Sequence, residues 1–215
     1  AQISHAGRQT NRFTYGQPVA PSEVAAVKVL QSFAKPRALT GDEVSDIVDR
    51  FARTAVVLAR AGFDGVQVHA AHGYLLSQFL SPLTNLRTDA WGGDIEGRAR
   101  LLIEIVRRVR ALTKPSFVVA VKLNSADFQK GGFDDQDSAA VLGMLEREGV
   151  DLVEISGGNY ESPALLFGQG SPREAYFLSF AEQAKQATKL PLMLTGGFRT
   201  RKAMDAALAS GAVDV

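Results

Sequence analysis

The sequence predicts an α/β protein built as a (β/α)8 TIM barrel that is incomplete in this chain, carrying about strands three to seven and the start of strand eight. Three observations support this. Helical patterns alternate with short, near-continuous apolar strands, as expected of a parallel sheet covered on both faces. Helix-closing glycines lead into similar strands at Ala61-Gly62-Phe63-Asp64, Glu148-Gly149-Val150-Asp151 and Ser210-Gly211-Ala212-Val213-Asp214. The polar residues Gln2, His5, His69, His72, Lys122, Asn124 and Ser156, and with them Gly196, all fall at the carboxyl ends of strand patterns, where barrels build their sites. An open doubly wound sheet is the alternative, but no G-x-G-x-x-G follows a strand to support it.

In chain order, Ala1-Gln2-Ile3-Ser4 reads as a strand and leads into His5-Ala6-Gly7-Arg8-Gln9. A long polar loop through Pro18, Pro21 and Pro36 follows, read as an excursion over a barrel mouth. Thr40 with Glu43 three residues on forms a capping box, and the spacing of Val44, Ile47, Val48, Phe51, Ala55 and Leu58 makes 41–61 a helix packed by one face, ended by Gly62. The stretch 62–80 runs through alternating small and β-branched residues as a buried strand, then delivers His69, His72 and Tyr74 where the strand pattern stops. Thr113-Lys114-Pro115 and Thr188-Lys189-Leu190-Pro191 introduce the strands beginning at Phe117 and Leu192, and helical patterns at 96–111, 136–148, 176–188 and 200–210 fill the intervals. A further strand begins at the end of the chain, so five or six units are visible and at least two strands are expected from sequence beyond it, as in an internal piece of a longer polypeptide.

The 215 residues are 46% hydrophobic and carry a net charge of +1, enough for a large core and too little basic excess to suggest a nucleic-acid partner. Cys is absent, which excludes disulfides and thiolate metal sites and suits a reducing compartment. No apolar run is long enough for a membrane span and no signal segment opens the chain, so a cytoplasmic protein is expected. The partner expected is a small molecule, without nucleic acid or membrane, and the assemblies to test are a homodimer or homotetramer.

His69 and His72 are two of only three histidines. A metal site would want a third ligand, and their sequence neighbourhood offers only small and apolar residues. Two imidazoles together suit hydrogen bonding to a carbonyl oxygen that gains negative charge, and the Tyr74 phenol suits proton donation; the combination suggests reduction of an activated alkene. Lys122, in an otherwise apolar strand, is either a side chain snorkelling to the rim or a fixed charge beside an anion or an electron-rich ring. Thr195-Gly196-Gly197-Phe198 precedes the helix at Thr200 and could bring backbone amides to a phosphate, while Ser156-Gly157-Gly158-Asn159 reads as a turn.

Several segments resemble the Old Yellow Enzyme family of FMN-dependent ene-reductases, in its NADH:flavin oxidoreductase branch. These are Gln2-Ile3-Ser4-His5-Ala6-Gly7-Arg8, Gly62 to Gly65 with His69-Ala70-Ala71-His72-Gly73-Tyr74-Leu75, and Arg87-Thr88-Asp89 through Gly92-Gly93 and Arg98. Val121 to Phe128 and Thr195 to Phe198 extend the resemblance over essentially the whole chain. It implies a single partial barrel domain over 1–215 that binds FMN, with NAD(P)H as transient reductant and an α,β-unsaturated carbonyl compound, an enone, as substrate. Gln2 and Lys122 would meet the pyrimidine edge of the flavin, and Gly196, Gly197 and Phe198 its phosphate. His69 and His72 would hold the substrate carbonyl, and Tyr74 would protonate the α-carbon. Lys122 stands where many members have Arg, Trp91 where Tyr is usual and Gly97 where Asn is usual; the family's first two strands and last strand fall outside 1–215. The alternatives are a phosphate-binding barrel isomerase or aldolase using Lys122 as a Schiff-base amine, and an inactive truncated barrel homologue.

Overall fold

The structure is a computed structural model that describes residues 1–13, 16–26, 33–162 and 174–215. Five parallel strands form one sheet in the order β1 (Gln2–Ile3), β4 (Gly65–Ala70), β5 (Val118–Asn124), β6 (Leu152–Ser156) and β7 (Leu192–Leu194). Each neighbour follows its predecessor in sequence through a helical crossover, and the arrangement is that of part of a (β/α)8 barrel. The two-residue strands β2 (Val19–Ala20) and β3 (Arg37–Ala38) pair with each other, in parallel, within the long early loop. That pair is too short for any periodicity to announce it. Residues 27–32 of the loop lie outside the described residues.

The helices start where the sequence places their caps. Thr40 and Glu43 form the reciprocal capping box of α1 (Gly41–Arg60), and the apolar stripe Val44, Ile47, Val48, Phe51 and Ala55 is buried. Asp94 accepts from Gly97 N to cap α3 (Ile95–Leu112). Asp134 caps α4 (Asp135–Arg147). Helix α5 (Leu178–Ala187) and helix α6 (Arg201–Ala209) complete the set, the latter capped by Thr200. One helix departs from the expectation for 62–80: the strand ends at Ala70, and Leu75–Leu80 is a separate helix, α2. All six of its residues are buried, so it lacks the polar face by which a helix is read from sequence. The final strand expected near Val215 is present only as a beginning: Asp214 N and Val215 N donate to Leu192 O, and Leu194 N to Val215 O.

Alternation along each strand divides core from site. Val66, Val68, Val119, Val121, Leu123, Val153, Ile155 and Leu192 face the helices and are buried. The opposite face carries Gln67, His69, Lys122, Asn124, Glu154 and Ser156, and the register sets His69 beside Lys122, Lys122 beside Glu154 and Asn124 beside Ser156.

Candidate active site

Residues 69–74 leave the sheet through a strained turn. His72 has φ 61, a left-handed conformation uncommon outside Gly and Asn, and Gly73 follows at φ 74. Its surroundings hold it there. His72 N donates to Asn124 Oδ1 at 3.2 Å, Gln9 Nε2 donates to its carbonyl at 2.9 Å, and it bridges to Asn159. Gln78, buried on α2, donates to Gly73 O at 2.7 Å and accepts from Arg8 N at 3.2 Å, tying the loop of His5 and Arg8 to the histidine turn. His5 has a structural place in that loop, its Nδ1 accepting from Gly7 N at 3.0 Å.

The turn gathers three rings. His69 and His72 have centroids 5.2 Å apart, and His69 and Tyr74 5.1 Å, both edge-to-face. Ala71 N donates to His69 Nδ1 at 3.2 Å, which places the ring proton of neutral His69 on Nε2. His72 Nε2 lies 2.7 Å from Ser156 Oγ. Burial, and the Lys122 charge after it, lowers the His69 pKa to about 4; burial, then His69 and Lys122, lowers that of His72 to about 4. Both imidazoles are therefore neutral at pH 7. The Tyr74 phenol is raised to about 12 by its hydrogen bond with Tyr160, whose hydroxyl is 3.4 Å away, and by burial, so it keeps its proton.

These shifts carry a prediction for stability. The unfolded chain takes up protons on His69 and His72 as pH falls below 6.5, whereas the folded state resists until about 4, so folding is progressively disfavoured across that window. The shift at His5, lowered chiefly by burial, acts in the same sense. Urea midpoints are expected to fall between pH 7 and pH 4.5, and equal midpoints across that range would contradict the assignment of neutral buried imidazoles.

Lys122 is two residues inside β5 and does not snorkel. Its Nζ makes a 2.8 Å ion pair with Glu154 Oε1, and Glu154 Oε2 accepts from Gln67 Nε2 at 2.7 Å. Gln67 Oε1 in turn accepts from Gln2 Nε2 at 2.6 Å. Glu154 corrects the view that only small and apolar groups surround the histidines, although both its oxygens are taken. Among the described residues no group of three His, Cys, Asp or Glu could hold a metal.

A cavity of about 320 Å³ opens beside these groups, lined by His72, Tyr74, Lys122, Tyr160, Phe177 and Gly196 among others. Ser156 to Asn159 also line it, so that segment is cavity wall and not merely a turn. Past β7, Gly196 and Gly197 have φ 112 and 77, and a Cβ on either would come within 2.6 Å of Phe177 or Tyr176. The amides of Gly196, Gly197 and Phe198 donate to no acceptor among the described residues. Next to them, the Glu174 carboxylate accepts from Arg199 N at 2.8 Å and Thr200 N at 2.9 Å, showing that the start of α6 receives an anion. Free amides, a glycine cradle and a cation within a polar barrel face fit a phosphorylated, electron-rich ring such as FMN.

Sequence reasoning missed Glu154, Gln78, Tyr160 and Phe177. Glu154 carried a signal, being a charged residue in an otherwise apolar run, and Gln78 a weaker one, being paired with Ser77 between apolar residues; the aromatic pair arrives from loops and carried none.

Barrel and cavity together have the form of a small-molecule site at the carboxyl ends of the strands, the place where barrel enzymes build theirs. Over residues 1–215 the chain matches the NADH:flavin oxidoreductase / NADH oxidase family. The NADH-dependent flavin oxidoreductase nadA of Aspergillus parasiticus is 42% identical over 211 residues, covering 95% of this chain and 48% of that protein. Among solved structures, 2-naphthoyl-CoA reductase in complex with 2-naphthoyl-CoA matches with a TM-score of 0.92 at 30% identity, over 99% of this chain and 34% of its own. The old yellow enzyme homologue of Zymomonas mobilis matches with a TM-score of 0.81 at 30% identity, over 99% of this chain and 60% of its own. This chain belongs to the NADH:flavin oxidoreductase / NADH oxidase family, the Old Yellow Enzyme family of the sequence resemblance. It spans between about a third and just over half of the length of the curated relatives it matches. No helix among the described residues is long and apolar enough to cross a membrane.

Proposed function

We propose that residues 1–215 form part of one FMN-binding barrel domain, in an enzyme that reduces the activated C=C bond of α,β-unsaturated carbonyl compounds with NAD(P)H as electron donor. The observation that carries this reading is the convergence of His72 and the protonated Tyr74 phenol on one cavity beside Lys122, with the neutral His69 ring packed edge-on against both. When bound, FMN supplies the hydride chemistry, accepting from NAD(P)H and delivering to the β-carbon of the substrate. The chain's residues supply the rest. Gln2 and Lys122 would hold the pyrimidine edge of the ring, and Gly196, Gly197 and Phe198 would offer amides to its phosphate.

His69 presents Nε2–H to the substrate carbonyl. Ser156 donating to His72 Nε2 leaves Nδ1–H of His72 as the second donor. Negative charge grows on that oxygen as hydride arrives, so fixed donors lower the barrier more than they tighten ground-state binding. Tyr74 then gives its proton to the α-carbon. The Schiff-base alternative is disfavoured because Lys122 is held in an ion pair and not presented as a free amine.

Visible absorbance of the full-length gene product, before and after adding a simple phenol, tests the reading. The expected result is oxidised-flavin bands plus a new long-wavelength charge-transfer band as the imidazoles hold the phenolate over the ring. A colourless protein that takes up no added FMN would remove the cofactor from the argument.

A further inference from the structure

We propose that Glu154 is a positioning residue that fixes Lys122, offsets its charge and thereby keeps the reduction potential of the bound flavin low. This rests on the reading that FMN lies against Gln2 and Lys122. The register makes Lys122 and Glu154 direct neighbours across β5 and β6, and their side chains are only 14% and 11% exposed. At 2.8 Å the pair is a charge-assisted hydrogen bond on a face that water barely reaches, so neither charge is screened as it would be at the surface.

The other carboxylate oxygen orders two amides. Ionised Glu154 can only accept, so Gln67 must turn its NH2 toward Oε2 and its carbonyl toward β1, and Gln2 must donate to that carbonyl. The orientation of Gln2, three strands away, thus follows from the charge on Glu154. One carboxylate governs both groups assigned to the flavin edge without being assigned to that edge itself. An unpaired ammonium would favour the extra negative charge of a reduced ring, and a carboxylate bonded to the ammonium cancels part of that attraction. Glu154 therefore holds the potential below the value Lys122 alone would give.

The experiment compares midpoint potentials of the FMN-loaded full-length gene product in wild type, Glu154→Gln and Glu154→Asp, by dye equilibration with visible spectra. Glu154→Gln keeps the shape and removes the charge. It is expected to raise the midpoint by a tenfold or larger change in the two-electron equilibrium constant, about 30 mV. Glu154→Asp keeps the charge but draws it one methylene away from Nζ, and raises the midpoint by a smaller step. A residue that served only to hold the barrel together would change stability and leave the potential in place. An unchanged or lowered potential in flavin-loaded Glu154→Gln overturns the proposal. Should that variant lose its flavin, Glu154→Asp decides, a rise supporting the proposal and no rise overturning it. Wild-type protein that takes up no FMN overturns the functional reading instead, a separate outcome read before any variant is made.

Discussion

Turnover of a cyclic enone by the full-length gene product falls by about two to three orders of magnitude when His69 and His72 are both replaced by Ala, while the flavin spectrum is retained. The size follows from removing fixed donors to an oxygen that becomes an anion, where loss of even one costs roughly 10²–10³ in rate. The two losses should not multiply, because the donors act on one oxygen and the survivor can recentre. Flavin retention follows from placement: the amides and the one cation assigned to the cofactor come from β1, β5 and the loop after β7, none of them from the turn at 69–74. His72→Asn makes a sharper comparison than Ala. Asn tolerates the left-handed conformation at φ 61 and keeps an N–H donor, so it should retain more turnover than His72→Ala. Steady-state rates with the charge-transfer titration check both parts. Full turnover in the double variant would remove the histidines from the carbonyl site.

The site was legible where one residue type does something its local pattern does not require. Two of three histidines at one strand end, and a lysine inside an apolar strand, stand out from a single line of sequence. Glu154 meets the same criterion, but its meaning lies in register: only the pairing of β5 with β6 sets it beside Lys122, and pairing is a relation between segments 32 residues apart. Tyr160 is harder still, since its contact with Tyr74 joins loops after two different strands. In the fold, the capping box at Thr40 and the period of α1 were sufficient, because side chain, backbone and burial agree within a few residues. Helix α2 offered no such agreement, being buried on every side, its polar Ser77 and Gln78 included. The β2–β3 pair packs against the Arg8 turn and α2, with Arg87 Nη1 donating to Pro21 O and Leu39 O, the residues that follow its two strands, and no local propensity announces it.

Replacing Arg98 by Ala should cost about 3 kcal/mol of stability or more with little change in turnover per folded molecule, and the two effects separate for a structural reason. Arg98 is buried on α3, where Nη1 and Nη2 bond the two oxygens of Asp137 at 3.0 and 2.9 Å, and Nη1 also donates to Leu80 O at the end of α2. Removing one partner of such a pair leaves a carboxylate and a helix-terminal carbonyl without their donor, the costly way to break it. The junction is tightly packed around this pair: Trp91 packs against the core and its carbonyl accepts from Asn85 Nδ2, while at Gly97 a Cβ would run into the Gly92 carbonyl. Arg98→Met with Asp137→Leu should recover much of the loss, because apolar groups of similar size leave nothing unpaired. Arg98→Lys should fall between, keeping charge but not the two-pronged geometry. Turnover is protected because Tyr74 at the other end of α2 is held independently, through Leu75 N to His5 O at 2.9 Å and Gln78 N to Tyr74 O at 2.8 Å. Urea unfolding at pH 7, with enone turnover normalised to the folded fraction, checks this. A large loss of normalised turnover in Arg98→Ala would mean that α2 transmits the strain from Leu80 to the phenol.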